Sequence, residues 1–158
     1  MLQLFVDADG CPVKQEVYRV ARRFGLRVKV VTNASLSMPP DERVELVVVG
    51  RGLDAADDWI AGQAAPDDIV ITADIPLASR CLKKGARVLG TTGRPFTDDN
   101  IGEALATREL MSHLRDLGNA TGGPAPFDER DRSRFLHGLD QMIQEIRRRR
   151  PEAADGRR

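Results

Sequence analysis

Five short apolar runs punctuate the first part of the chain: LQLFV (2–6), LRVKVVT (26–32), RVELVVVG (43–50), DIVITAD (68–74) and ARVLG (86–90). They are near-continuous rather than alternating, which is the pattern of strands covered on both faces. Segments of helical period lie between most of them. VKQEVYRVARRFG (13–25) gathers Val13, Val17, Val20, Ala21 and Phe24 on one face, with Pro12 expected in the first turn and Gly25 at the C-cap. LDAADDWIAGQAA (53–65) and IPLASRCLKKG (75–85) read as two more helices, and ASLSMPPDE (34–42) as a Pro-rich loop. Such βα units in series predict a three-layer α/β/α domain around a central, mostly parallel five-stranded sheet.

After residue 96 the pattern is helical. TDDNIGEALATRELMSHLRDLG (97–118) predicts a helix with a Thr N-cap and acids in its first turn. NATGGPAPF (119–127) reads as a loop. DERDRSRFLHGLDQMIQEIRRRR (128–150) predicts a last helix burying Phe135, Leu136, Leu139, Met142, Ile143 and Ile146. The expectation is one domain over 1–150, with 97–150 as its helical C-terminal part and 151–158 as a disordered tail. No internal repeat is present. At 158 residues the chain is long enough for a substantial core.

Composition excludes several classes. Two cysteines, Cys11 and Cys81, read as free thiols of a reducing cytoplasm. The N-terminal MLQLFVDAD carries a charge at residue 7, so it does not read as a signal h-region, and no apolar stretch approaches a membrane span. His113 and His137 are the only histidines, and no Cys or His pair has zinc-ligand spacing. Lys+Arg equals Asp+Glu at 24 each, which neither supports nor excludes a nucleic-acid partner.

The distribution of acids is more telling. In an open parallel sheet, ligands bind at the C-terminal strand ends. Asp7 and Asp9 end the first strand, Thr32 and Asn33 the second, and Asp74 the fourth. Asp54, Asp57 and Asp58 open the next helix with i, i+3, i+4 spacing, which predicts one shared face. These carboxylates are expected to converge on one edge of the sheet, where their repulsion calls for a cation. A hard divalent ion that accepts oxygen ligands, Mg²⁺ or Mn²⁺, suits such a set. Asp54, Asp57 and Asp58 also suit a plain helix start. Asp98, Asp99 and Asp128 read as caps, and Asp67 and Asp68 as turn residues. Asp7, Asp9 and Asp74 have no capping role in common and read as functional.

Other residues carry bland readings. Cys11 reads as a small buried residue, Trp59 as core, and Lys14, Arg19, Arg22 and Arg23 as the solvated face of the first helix. GRG (50–52) lacks a dinucleotide fingerprint. TGGP (121–124) reads as a turn, and the arginines at 147–150 as a solubilising terminus or a nucleic-acid contact.

In this order, VDADGCPVK, GLDAADDWI, DIVITADIPLA, TTGRPFTDDNI and TGGPAPFDERDRSRF resemble the YaiI/YqxD family of bacterial proteins over about residues 3–146. That family is grouped with PIN-like nuclease folds, including the NYN branch. The resemblance implies divalent-metal-dependent phosphodiester hydrolysis, with RNA or single-stranded nucleic acid as partner. It implies that Asp7, Asp54, Asp57 and Asp74 are the acids of the site. Asp9 of the DAD motif is an additional metal candidate, and Asp58 a neighbour.

On this reading Asp7, Asp57 and Asp74 would be the catalytic ligands, Asp9 and Asp54 would complete the metal shells, and Asn33, Lys14 and Arg108 would contact substrate phosphates. Two alternatives stand beside it. VDADG and VVTN imitate haloacid-dehalogenase phosphatase motifs, although the acids at 54–58 precede Lys83 and Lys84, the reverse of the order that chemistry wants. The other is a PIN-like module that binds metal or nucleic acid without turnover.

Overall fold

The computed structural model of the chain describes residues 2–52, 54–118 and 126–149. The expected glycine-rich segment 119–125 and the tail from residue 150 lie outside the described residues. The elements run β1 (Leu4–Asp7), α1 (Lys14–Phe24), β2 (Val28–Thr32), β3 (Val44–Val48), α2 (Ala55–Gln63), β4 (Ile69–Ile71), α3 (Ile75–Lys83), β5 (Arg87–Leu89), β6 (Pro95–Phe96), α4 (Ile101–Asp116) and α5 (Glu129–Arg149). The sheet has the order β3-β2-β1-β4-β5-β6 and is parallel except for β6.

The architecture is the expected α/β one, with a sixth strand added. Strand β6 is two residues long and antiparallel to β5, pairing Leu89 with Pro95 and Val88 with Phe96. So short a strand, begun by a proline, has no periodicity to read. Strands β2 and β3 are parallel but joined by an irregular crossover rather than a helix.

Two apolar cores lie on opposite faces of the sheet, as the period of two in each strand requires. Leu4, Val6, Val28, Val30, Ile69 and Ile71 face α1 and α5. Phe5, Val31, Val70 and Val88 face α2 and α3. Trp59 packs on the second core, its ring centroid 6.1 Å from that of Phe5. Helix α5 buries Phe135, Leu139, Met142, Ile143 and Ile146, leaving Leu136 half-buried. Helix α4 buries none of its residues and rests against α3.

Several local expectations are corrected. Pro12 precedes the Val13 N-cap of α1 instead of opening its first turn. Gly25 does cap that helix in the left-handed conformation. Thr97 does not cap α4: it pairs reciprocally with Asn100 in a turn, and Asn100 is the N-cap. Asp98 and Asp99 therefore stand in that turn. Asp128 pairs reciprocally with Asp131 at the start of α5. Asp68 ties a turn down by accepting from the Gln3 and Ala65 amides. No helix among the described residues is long and apolar enough to cross a membrane.

The β5–β6 turn is fastened to α5 by two glycines. Gly93 has φ +88°, and a Cβ there would collide with the Arg134 carbonyl. A Cβ on Gly138 would come within 2.8 Å of the Gly93 carbonyl oxygen. Gly93→Ala combines backbone strain with overpacking. It is expected to cost about 2 kcal/mol and lower the melting temperature by about 4–8 °C, read by calorimetry.

Candidate active site

The strand order reverses at β1. The chain proceeds outward from β1 to β2 and β3, then returns to place β4 on the other side of β1. Such a switch point opens a crevice at the C-terminal strand ends. Asp7 is the last residue of β1, and Asp74 follows β4 as the N-cap of α3. The two are brought together by topology, far apart as they are in sequence.

A cavity of about 280 Å³ occupies this crevice, with Asp7, Asp9, Asn33, Asp57, Asp74 and Thr91 on its walls. Asp7 and Asp74 are half-buried, as is Asp57 in the first turn of α2, while Asp9 and Asn33 are exposed. The N-terminal ends of α2 and α3 both lie here, and their dipoles favour carboxylates.

Two threonines orient the acids by the same device. Thr72 Oγ1 accepts the Asp74 amide at 3.0 Å and donates to Asp7 Oδ2 at 2.8 Å. Thr32 Oγ1 accepts the Ala34 amide at 3.2 Å and donates to Asp9 Oδ1 at 3.1 Å. Each hydroxyl accepts an amide proton two residues on, which aims its own single proton at a carboxylate. Both threonines are buried. VVTN and ITAD carry this signal in sequence: a threonine closing an apolar run, two residues before the amide it accepts. Thr72 and Thr91 were not among the residues singled out from sequence.

The site differs from expectation in four places. Asp74 does have a capping role, since its Oδ1 accepts the Leu77 amide at 2.9 Å. It also lines the cavity, and its Oδ2 makes no hydrogen bond among the described residues. Asp54, Asp57 and Asp58 do not share a face: Asp57 lines the cavity, Asp58 is exposed and pairs with Arg80 at 2.8 Å, and Asp54 is an exposed N-cap without a side-chain cap bond. Successive helical residues diverge by about 100°, so 57 and 58 cannot point alike. Lys14 turns inward, donating to the carbonyls of Cys11 at 2.8 Å and Ala8 at 3.3 Å. It braces the loop after β1 instead of lining the cavity. Arg108 lines a neighbouring groove instead of the acidic cavity.

Repulsion leaves its mark on the acids. Burial pushes the Asp57 carboxyl up to about 6, and the charges of Asp74, Asp7 and Asp54 add to this while Arg80 opposes. Burial also raises Asp7, opposed by the Thr72 hydrogen bond and reinforced by Asp74 and Asp9. Burial raises the Cys11 thiol as well, so this cavity-lining cysteine is no thiolate nucleophile.

The donors offered to a ligand are carboxylate oxygens, which match Mg²⁺ or Mn²⁺. Among the described residues, no three acidic, histidine or cysteine side chains are gathered as a ready metal cage. Mg²⁺ does not require one, since it is commonly held by one or two carboxylates with waters and substrate phosphate.

The folded state holds the Asp57 proton to a higher pH than the ordinary value of 3.8. Between about pH 4 and 6 it therefore binds more protons than the unfolded state, and this group's contribution to stability falls as pH rises. Half-exposure discounts the cost at neutral pH to about 1 kcal/mol. Asp57→Asn should thus raise the melting temperature by about 2–4 °C at neutral pH, and lose that advantage towards pH 4.

Known proteins with similar sequences bear on this arrangement. The family model described as "Uncharacterized BCR, YaiI/YqxD family" matches residues 5–145. A UPF0178 protein of Rhodospirillum centenum is 57% identical over 152 residues, covering 94% of this chain and 99% of that one. A UPF0178 protein of Bradyrhizobium diazoefficiens is 53% identical over 152 residues, covering 96% and 91%. One of Paramagnetospirillum magneticum is 54% identical over 148 residues, covering 94% and 98%. The chain belongs to the YaiI/YqxD family.

Proposed function

We propose that the chain is a divalent-metal-dependent nuclease that hydrolyses phosphodiesters of RNA or another single-stranded nucleic acid. The observation that carries this reading is the placement of Asp7, Asp57 and Asp74 around one cavity at the sheet's switch point. Acids at the end of β1, the start of α2 and the end of β4 match the PIN-like arrangement that the family resemblance implies.

Asp7, Asp57 and Asp74 would hold Mg²⁺ or Mn²⁺ or orient the attacking water, with Asp9 and Asp54 supporting from the rim. A bound metal of this kind acidifies water and offsets charge on the leaving oxygen. The chain's own contribution is orientation. Thr72 fixes the Asp7 carboxylate, the α3 amide of Leu77 fixes Asp74, and the Lys14 ammonium fixes the loop that carries Asp9. Asn33 offers a neutral amide at the mouth for a substrate phosphate. A phosphatase with Asp7 as nucleophile is less well served, because no lysine among the described residues lines the cavity.

Saturating Mn²⁺, at about a hundredfold over its Kd, should raise the melting temperature of the parent by about 5–10 °C. Asp7→Asn should reduce that shift and lower Mn²⁺-dependent cleavage of labelled single-stranded RNA at least about 100-fold. Its circular dichroism should remain that of the parent. Stabilisation without any cleavage by the parent would instead favour a binding module, and a phosphorylated Asp7 a phosphatase.

Thr72→Val keeps volume while removing the proton donated to Asp7. It should weaken the Mn²⁺-induced shift about tenfold in apparent affinity. A Thr72→Ser variant should restore it.

A further inference from the structure

Beside the acidic cavity runs a second depression of about 630 Å³, between α4 and the β5–β6 turn. The two are contiguous: Ala73 and Thr91 line both. Their electrostatics are opposite. Arg94, Arg108 and Arg115 line the groove, against a single acid, Glu103. All three arginines are exposed, and none makes an ion pair or side-chain hydrogen bond among the described residues. Arg23, Arg80, Arg87 and Arg132 each meet a carboxylate, whereas these three share one groove without one.

Helix α4 presents the groove with a regular face. Ala104, Arg108, Met111 and Arg115 recur at helical spacing. Arg108 and Arg115 are two turns apart, about 10 Å along the axis, a distance over which one strand presents more than one phosphate. Met111 is 40% exposed there, and the half-buried Phe96 ring lies across from α4. Arginines for phosphates with an aromatic and a methionine for bases is the chemistry of a single-strand channel. The groove has the volume of a small-ligand site, too small to take a duplex.

We propose that this groove binds the single strand flanking the scissile phosphate, with Arg94, Arg108 and Arg115 as its phosphate contacts. The inference rests on reading the acidic cavity as the nuclease centre. It gives the groove-facing side of α4 a role: the helix serves as a wall for a ligand rather than as a lid on the core.

Fluorescence anisotropy with a short labelled oligouridylate in EDTA reads binding without cleavage. The parent is expected to bind, with log affinity falling against log salt at a slope of about −2 for three phosphate contacts. The triple variant Arg94→Ala, Arg108→Ala, Arg115→Ala should lose at least about tenfold in affinity and most of that slope. The three side chains are exposed, so the variant should melt with the parent, and that measurement guards the comparison. A duplex of the same length should bind more weakly. Equal binding by the triple variant, tighter binding of the duplex, or equal competition by polyglutamate each overturns the proposal. The nuclease reading fails separately. If anisotropy behaves as expected while Mn²⁺ neither stabilises the parent nor supports cleavage, the groove stands and the metal centre falls.

Discussion

Strand β1 pairs in parallel with β2 on one edge and β4 on the other, and this double pairing underlies both the core and the cavity. Its residues are buried alternately against the two apolar layers, Leu4 and Val6 on one side and Phe5 on the other. A slip of one residue would exchange the faces and cost both cores at once. The register that protects the cores therefore also fixes how far Asp7 projects beyond them. Position in the sheet, more than any local property of VDAD, makes Asp7 the centre of the crevice.

The acids around it are restrained by hydrogen bonds from groups that have no other use for those protons. Thr72 and Thr32 each receive an amide and pass a hydroxyl proton to a carboxylate, while α3 begins on Asp74. Capping and ligand binding are compatible in Asp74, because a carboxylate has two oxygens and the cap uses one. The third wall is held from a distance. Thr91 belongs to the turn that Gly93 and Gly138 fasten to α5, so the last helix, far along the chain, steadies the cavity's edge.

Sequence carried the parts of this that depend on period and composition. Apolar runs located β1 to β5, helical spacing located all five helices, and the acids at the ends of β1 and β4 pointed to the crevice. It missed what depends on three-dimensional direction. Strand β6 exists because Pro95 and Phe96 fold back on β5, an event two residues long. Asp58 was grouped with Asp57 by spacing, yet a turn of about 100° sends it to Arg80. Lys14 looked like a solvated cation with a chance of meeting phosphate, but the loop after β1 leaves carbonyls at Ala8 and Cys11 that a lysine can satisfy. Thr72 is visible only once its partner, Asp7, distant in sequence, is known to stand beside it.

A net charge of zero conceals how the charges are arranged. Burial, with the nearby charges of Asp74, Asp7 and Asp54 adding to it, pushes Asp57 to about 6, a stability cost that packing alone does not require. Next to them stand arginines that form no ion pair among the described residues, although Asp7 and Asp74 lie only across Ala73 and Thr91. Free collapse of one group onto the other would neutralise both. In the structure the two sets of charge stand apart on adjoining surfaces, the acids in the crevice and the arginines along the groove. On the proposed reading, a polyanion bridging them would resolve both imbalances: its phosphates would meet the arginines, and a cation shared with the acids would meet the phosphate to be cleaved. The separation of charge would then orient a strand along the groove and deliver it to the acids.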